Sequence, residues 1–266
     1  MRSTLPRPVS DGAQSGSPAI GTPTASEGDE AISASPQRAT KNATPNLSRS
    51  ARKGETTRYP DVLGVLGSSG LKCSATLIAS RWAITAKHCL PAGSIFMGND
   101  AGSAKAIAIE RTLSHPSPDV DVALLRLKTA PPTTARKVRT EKSSDGSAFV
   151  RIIGFGATNA AATTGVGIKR FFDVPRSSSK CDAARAKRLG CKAAHELVLL
   201  SSTGLDTCRG DSGGAVLEES NGEEYLVAVT SRGVPLPGRL CGYGGIYTRI
   251  DTIWPWVEEN LREGTR

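Results

Sequence analysis

The sequence predicts an all-β fold that ends in one helix and follows a disordered segment. Beyond Tyr59 the chain consists of short Val-, Ile- and Leu-rich runs separated by Gly and Pro, which is typical of antiparallel strands. Residues 1–58 contain no aromatic side chain and are rich in Ser, Thr, Pro, Ala and Gly, so they cannot bury enough apolar surface to offset the entropy of ordering. We therefore expect residues 1–58 to be a disordered linker or pro-segment and residues 59–266 to be the folded domain.

Each element follows from its local pattern. Seven apolar runs are candidate strands: residues 62–66, 75–84, 106–109, 122–127, 149–155, 196–200 and 225–231. Residues 251–261 predict the terminal helix, because a capping Asp251 precedes apolar residues at helical spacing and acidic side chains. With 266 residues, 38% of them hydrophobic, the chain is long enough for one or two sizeable cores.

The chain is basic, with a formal net charge of +9. A positive net charge can favour binding to nucleic acid or to an anionic membrane surface. Here the Lys and Arg residues are scattered, no dense basic run is interleaved with aromatic residues, and no nucleic-acid-binding motif is present. No run approaches the 18 apolar residues typical of a transmembrane helix. We therefore expect neither a nucleic-acid nor a membrane partner.

Residues 206–214, Asp-Thr-Cys-Arg-Gly-Asp-Ser-Gly-Gly, present the hydroxyl of Ser212 among glycines. Glycine allows backbone angles that side chains forbid, so this loop can fold tightly around Ser212. The backbone N–H groups of Gly210 and Ser212 are then candidates for an oxyanion hole. The same residue types also form simple turns. A nucleophilic serine requires a base and an orienting carboxylate elsewhere in the chain.

The candidate base is His88, His115 or His195, the three histidines of the chain. His88 ends an apolar run and is followed by a cysteine that can anchor the backbone, which suits a base that must hold its position closely. His115 precedes Pro116, which favours an exposed ring. His195 lies in a Lys- and Ala-rich stretch typical of a solvated surface. The pattern favours His88.

The candidate orienting carboxylates are Asp119 and Asp121, which come just ahead of the apolar run 122–127. Asp121 adjoins the buried part, where a carboxylate can be desolvated and can hydrogen-bond an imidazole. Asp119 is more typical of a solvated loop. Spacing favours Asp121, and Asp119 remains the alternative.

These segments together resemble the trypsin and chymotrypsin family of serine proteases, in which His, Asp and Ser follow one another in the order of His88, Asp121 and Ser212. Residues 85–89 resemble the family's histidine motif, with Lys87 in place of a small residue. Residues 121–125 and 210–214 resemble the aspartate and serine motifs. Over residues 59–261 the resemblance implies two antiparallel six-stranded β-barrels with the site between them, and a serine endopeptidase that works through an acyl-enzyme. We expect a protein or peptide substrate, no cofactor or metal, and a monomer.

Six cysteines without metal-ligand spacing indicate three disulfides and an oxidising compartment. The resemblance implies Cys73–Cys89 beside the histidine and Cys208–Cys241 between the serine loop and the far wall of the pocket. Cys181–Cys191 is the pair that remains, and it departs from the family pattern. The first ten residues contain no apolar signal core. We therefore expect the recorded start to lie inside a longer precursor of a secreted or periplasmic protein.

The resemblance also implies a primary substrate pocket. Asp206, six residues before Ser212, corresponds to its floor, and Gly233 and Gly245 to its walls, with Ser231 as a further substrate-binding residue. A buried carboxylate needs a cationic partner, so cleavage after Arg or Lys is expected. The alternative is that Asp206 is an exposed loop residue or a cap. Arg232 stands where the family has an aromatic residue beside the pocket.

Two other function classes compete with an active protease. One is a catalytically silent homologue that acts as a binding module. It stays open because the zymogen activation motif of the family, an Ile-Val-Gly-Gly-like start whose amine pairs with Asp211, has no match at the expected distance. The other is an esterase on an unrelated fold, whose usual form requires the order Ser, Asp, His and is excluded by the order found.

Overall fold

The computed structural model describes residues 56–142, 147–176, 180–201, 204–235 and 241–263. These residues belong to one unit that spans residues 43–266. The predicted disordered segment, residues 1–58, lies outside the described residues except at its very end. Its boundary with the folded domain therefore stays a prediction.

The first half of the described chain forms a closed antiparallel barrel. Its strands are β1 (Val62–Gly67), β2 (Gly70–Ala79), β3 (Trp82–Thr85), β4 (Ser94–Phe96), β5 (Ala106–Ser114) and β6 (Ala123–Leu127). They are ordered β1-β2-β3-β6-β5-β4, and the pairing of β4 with β1 closes the circuit. Buried side chains fill the interior, among them Leu63, Val65, Leu77, Ile95 and Leu125.

The second half forms another six-stranded antiparallel sheet, a half-barrel. Its strands are β7 (Phe149–Gly154), β8 (Arg170–Pro175), β9 (Glu196–Leu200), β10 (Ala215–Ser220), β11 (Glu223–Gly233) and β12 (Gly244–Arg249). They are ordered β8-β7-β10-β11-β12-β9. The predicted all-β class with two six-stranded barrels is confirmed, with the first barrel closed and the second open.

Two α-helices accompany the strands in the part of the chain that the structure describes. α1 (Ala183–Leu189) begins after Asp182, whose side chain accepts the Arg185 N–H at 2.8 Å, and ends at Gly190 in the left-handed conformation. α2 (Ile250–Glu263) is the predicted C-terminal helix, slightly longer than expected. Neither of them has the length and apolar character to cross a membrane.

The two sheets meet in an apolar junction. Phe96 of β4 packs edge-to-face against Phe155, which follows β7, with ring centroids 4.8 Å apart. The same buried cluster includes Ile253 and Val257 of α2. A Cβ on Gly64 of β1 would lie 2.0 Å from the Phe96 ring, so the junction depends on a glycine there.

Several local predictions differ from the structure. The single strand predicted over residues 75–84 is wrong, because a turn at residues 80–81 divides it into β2 and β3. β4, β8, β10, β12 and α1 were not predicted. β4 has only three residues, and the other three strands contain charged residues or glycines that interrupt an apolar run, such as Asp173, Glu218 and Gly245. All three disulfides, Cys73–Cys89, Cys181–Cys191 and Cys208–Cys241, are confirmed.

Candidate active site

His88 lies in a short 3-10 turn, Lys87–Cys89, that follows β3. The Cys73–Cys89 disulfide ties this turn to β2. On the other side of the histidine, Lys87 Nζ donates to the carbonyl oxygens of His115 and Ser117, at 3.0 and 2.7 Å. The backbone is thus held on both sides of His88, whose side chain is 49% exposed.

Asp121 holds the imidazole from one side. Its Oδ2 lies 2.8 Å from His88 Nδ1 and accepts the Ser231 hydroxyl at 2.6 Å, while Oδ1 accepts the His88 backbone N–H at 3.1 Å. Burial raises the pKa of Asp121, but hydrogen bonds from His88 and Ser231 outweigh burial and bring the pKa to about 2. An ionised carboxylate on Nδ1 favours the tautomer in which Nε2 can accept a proton.

The structure separates the other candidates from this pair. Asp119 forms a surface ion pair with Lys192, 2.9 Å from Oδ1 to Nζ. The prediction of an exposed His115 ring is wrong, because the ring packs edge-on against Trp256 with centroids 4.9 Å apart. His195 is not a fully solvated histidine either, since its Nδ1 is buried. Within the described ranges, neither histidine forms a hydrogen bond with a carboxylate as His88 does.

The loop around Ser212 is anchored in both sheets. The Ser212 carbonyl accepts the backbone N–H of Ser74 in β2, and the Gly213 N–H donates to the carbonyl of Thr230 in β11, both at 2.7 Å. Gly213 has φ +81°, and a Cβ there would lie 2.1 Å from Thr85 Oγ1. The residue after the serine must therefore be glycine.

The peptides before Ser212 have fixed orientations. In the Arg209–Gly210 peptide the carbonyl accepts the Ala157 N–H at 2.8 Å. In the Asp211–Ser212 peptide the carbonyl accepts the Gly214 N–H at 2.8 Å. Because a trans peptide points its N–H opposite to its carbonyl, these bonds also set the directions of the two N–H groups. Neither N–H donates to an acceptor within the described ranges, so both are available to an oxyanion.

One cleft collects the predicted catalytic residues. His88, Asp121 and Ser212 line it together with Ser231 and Gly233, and its volume is about 660 Å³. Residues of the closed barrel supply one side and residues of the half-barrel the other. No hydrogen bond joins Ser212 Oγ to the imidazole in the described part of the chain, and such bonds are often long until substrate binds.

Asp206 is buried, with 8% of its surface exposed. Its Oδ1 accepts the Thr207 N–H at 2.7 Å, and its Oδ2 accepts the N–H groups of Gly242 and Gly244, both at 2.9 Å. Burial raises the pKa of Asp206, although these hydrogen bonds act in the opposite direction. The alternative of an exposed loop residue is wrong, whereas the alternative of a cap stays open, because the carboxylate accepts backbone N–H groups from two segments of the chain.

The two glycines predicted to form the pocket walls lie opposite each other on adjacent, paired strands. Gly233 of β11 pairs with Gly245 of β12. A Cβ on Gly245 would lie 2.6 Å from the hydroxyl oxygen of Tyr247, so that buried tyrosine already occupies the space beside the glycine. Gly233 lines the cleft, as does Thr207, the neighbour of Asp206.

Ser231 and Arg232 connect the cleft to a buried acid. The Ser231 hydroxyl donates to Asp121, and Ser231, which was predicted to bind substrate, lines the cleft. Arg232 donates to that same hydroxyl oxygen at 3.2 Å and forms a bidentate pair with Glu196, at 2.6 and 2.9 Å. Glu196 is almost fully buried and holds the Arg232 side chain in place. A chain of hydrogen bonds therefore runs from Glu196 through Arg232 and Ser231 to the carboxylate of Asp121, which orients His88.

Asp211 is buried behind the nucleophile loop. Its Oδ1 accepts the Gly156 N–H at 2.8 Å and its Oδ2 accepts the Cys208 N–H at 2.9 Å. Burial raises its pKa to about 6, although these bonds and the positive charge of Arg170 lower it. The residues before Thr56, where the resemblance places an activating amine, lie outside the described ranges.

Two residues that hold the site carried no functional prediction from the sequence. Ser74 donates its hydroxyl to the Gly210 carbonyl at 2.8 Å, and Lys87 braces the histidine turn. Each had a local signal, since Ser74 follows a bridged cysteine and Lys87 precedes His88. Their partners are 136 and 28 positions away, which no local pattern reveals.

Comparison with known proteins agrees with the resemblance found in the sequence. The family model described as Trypsin matches residues 49–257. Melanization protease 1 of Drosophila melanogaster is 29% identical over 245 residues, which cover 73% of this chain and 59% of that protein. Transmembrane protease serine 9 of Rattus norvegicus is 28% identical over 231 residues, 72% of this chain and 20% of that protein. This chain therefore spans less than two thirds of either relative.

A shorter relative and a solved structure cover similar regions. Trypsin 5G1 of Aedes aegypti is 26% identical over 213 residues, 74% of this chain and 77% of that protein. The structure of neuropsin, a serine protease expressed in the limbic system of mouse brain, superposes with a TM-score of 0.66 at 22% identity. It covers 79% of this chain and 98% of the neuropsin chain, and the likeness is one of fold.

Proposed function

Because this chain belongs to the trypsin family of serine proteases, we propose that it is an endopeptidase that uses Ser212, His88 and Asp121 as a catalytic triad and cleaves after Arg or Lys. The observation that carries the proposal is the pairing of His88 Nδ1 with Asp121, at 2.8 Å, in the cleft that Ser212 also lines. A base oriented by a carboxylate beside a serine is the arrangement that acyl transfer requires.

In the proposed mechanism, Ser212 Oγ attacks the carbonyl carbon of the scissile bond while His88 Nε2 takes the hydroxyl proton. Asp121 stabilises the imidazolium, and the N–H groups of Gly210 and Ser212 bind the oxyanion. His88 then gives the proton to the amine as the C–N bond breaks, which leaves an acyl-enzyme. Water attacks this ester with His88 again as base, and the new carboxyl end leaves.

Asp206 supports the preference for a basic residue. Its carboxylate is buried, and no Lys or Arg of the described ranges forms an ion pair with it. A substrate guanidinium or ammonium group would supply the missing positive charge, whereas an apolar side chain would leave the carboxylate unpaired. Gly233 lines the same cleft as Thr207, the neighbour of Asp206, and adds no side chain to its wall.

The wider setting of the proposed enzyme follows from its covalent structure. Three disulfides favour an oxidising compartment, so we place the protein outside the cytosol. The domain that carries the activity is residues 59–266, with residues 1–58 as a linker or pro-segment. We expect a monomer that acts on protein or peptide substrates.

The direct test is hydrolysis of chromogenic peptides that end in Arg, Lys, Phe or Ala, with and without trace trypsin to process the chain. Ser212→Ala should lower kcat by about 10⁵- to 10⁶-fold, the size seen when a serine nucleophile is removed. Ser103→Ala, an exposed serine of a surface turn, is the matched control and should retain activity.

The outcomes of this test separate the parts of the proposal. Activity that survives Ser212→Ala would refute the mechanism. A preference for Phe over Arg would refute only the role of Asp206. Binding of the Arg peptide without hydrolysis, before and after trypsin, would identify a catalytically silent homologue instead.

A further inference from the structure

The Gly210 carbonyl is held differently from its neighbours in the loop before Ser212. The carbonyls immediately before and after it accept backbone N–H groups, from Ala157 and Gly214. The Gly210 carbonyl accepts the side-chain hydroxyl of Ser74 at 2.8 Å. Of these three carbonyls, it is therefore the one whose hydrogen bond a side-chain substitution can remove.

Ser74 is itself rigidly placed. It lies in β2, is 0% exposed, and its carbonyl accepts the Thr85 hydroxyl at 2.7 Å. Its hydroxyl oxygen accepts the Phe155 N–H at 3.1 Å, which leaves the hydroxyl proton to be donated to Gly210. One buried hydroxyl thus links the closed barrel, the half-barrel and the nucleophile loop.

Gly210 needs such a restraint because its backbone is otherwise permissive. It has φ +98°, a region in which glycine has several accessible conformations. A side chain cannot supply the restraint, since a Cβ there would lie 3.0 Å from Gly156 Cα. A hydrogen bond to the carbonyl limits rotation without occupying that space.

We propose that Ser74 is a positioning residue for the oxyanion hole, whose hydroxyl holds the Gly210–Asp211 peptide through the Gly210 carbonyl. This peptide joins the two peptides that carry the Gly210 and Ser212 N–H groups, so fixing it keeps the two donors in register with each other. The inference rests on the proposed function. Ser74 donates no hydrogen bond to His88 or Ser212 Oγ, and it acts on the site through the backbone of the nucleophile loop. Its contribution is therefore larger in the transition state than in the substrate complex.

The test compares Ser74→Ala with Thr76→Val. Thr76 lies in the same strand, is fully buried, and its hydroxyl has no hydrogen-bond partner among the described residues. With an Arg-ended chromogenic peptide, Ser74→Ala should lower kcat by about 10- to 100-fold with KM little changed, less than the roughly 10²- to 10³-fold loss typical when a donor is deleted outright. Thr76→Val should leave kcat unchanged.

Inhibitor binding supplies a readout that a merely structural role would not move. A peptidyl-arginine aldehyde adds to Ser212 Oγ through its carbonyl carbon and places its oxygen in the oxyanion hole, whereas 4-aminobenzamidine offers only a cation to the pocket. Ser74→Ala should raise the dissociation constant of the aldehyde by about the factor by which kcat falls. The dissociation constant of 4-aminobenzamidine should stay unchanged.

Each result bears on one of the two proposals. An unchanged kcat and aldehyde affinity in Ser74→Ala would overturn the role of Ser74 while leaving the proposed function intact. An inactive wild-type protein would overturn the proposed function and this inference with it. If Ser74→Ala does not fold, Ser74→Cys replaces it, because a thiol is a weak donor and should give a smaller loss in kcat. An undiminished kcat in that variant would also overturn the role.

Discussion

Asp121 contacts His88 through both of its carboxylate oxygens. Oδ2 lies 2.8 Å from the ring nitrogen Nδ1, and Oδ1 accepts the backbone N–H of the same residue at 3.1 Å. One carboxylate therefore sets the orientation of the imidazole and also holds the turn that carries it. Its low pKa, about 2, means that the Asp121 carboxylate is ionised at neutral pH.

Asp121→Asn should lower kcat by about 10⁴-fold, because an amide on Nδ1 favours the wrong tautomer of His88. The thermal midpoint should change far less than the rate. The measurement is kcat near neutral pH together with a circular-dichroism melt. Asp119→Asn, which disturbs only a surface ion pair with Lys192, is the matched control. A loss below tenfold in Asp121→Asn would contradict the orienting role.

Asp206→Asn should lower kcat/KM for an Arg-ended peptide by roughly 10²- to 10³-fold, the range for losing one partner of a buried ion pair. For a Phe-ended peptide, kcat/KM should not fall by the same factor. Burial raises the pKa of Asp206, so the preference of the wild type for Arg over Phe should increase as pH rises through the acidic range. If the ratio of kcat/KM for the Arg-ended peptide to that for the Phe-ended peptide is the same in wild type and variant, Asp206 does not belong to the pocket.

Asp211 should make folding stability fall as pH rises. Its folded pKa is about 6, above the ordinary value of 3.8. Between these values the folded protein keeps a proton that the unfolded chain has released, so the free energy of unfolding falls by roughly 3 kcal/mol across about pH 4 to 6. Above that window the effect is constant.

Urea unfolding at pH 4, 5, 6 and 7 measures this effect in wild type and Asp211→Asn. The stability of the wild type relative to the variant should fall through the window and then level off. Glu219→Gln, an exposed carboxylate of β10, controls for the loss of a charge. If the free energy of unfolding varies with pH in the same way in the wild type and in Asp211→Asn, Asp211 does not titrate between pH 4 and 6.

Two of the three disulfides should contribute similarly to stability but differ in their effect on the site. Replacing both cysteines of Cys73–Cys89 or of Cys181–Cys191 by serine should each lower the free energy of unfolding by about 3 kcal/mol, from loops of 16 and 10 residues. Only loss of Cys73–Cys89 should also lower kcat, because that bridge anchors the turn of His88. Denaturant melts and kcat on folded protein test both, and equal losses of kcat would contradict this difference.

Features that depend on neighbours in the chain were predictable. The apolar run that ends at His88, the glycines around Ser212 and the terminal helix each reflect a local conformational requirement. The turn that splits residues 75–84 was missed, because an apolar run interrupted by only two polar residues reads as one strand.

Features that depend on contacts across the chain required the fold. Asp119 and Asp121 precede the same strand, and only the packing of that strand shows which of them reaches the imidazole. Ser74 and Gly210 are 136 positions apart, and their hydrogen bond exists because the two sheets meet there.

The chemistry available to this protein, a serine among glycines, one anchored histidine and a set of candidate carboxylates, could be recognised from residue types and order alone. The distances that would make it work could not. Hydrogen bonding is sensitive to separations of a few tenths of an ångström and to angle, and those quantities come from the packing of a closed barrel against a half-barrel rather than from any stretch of sequence.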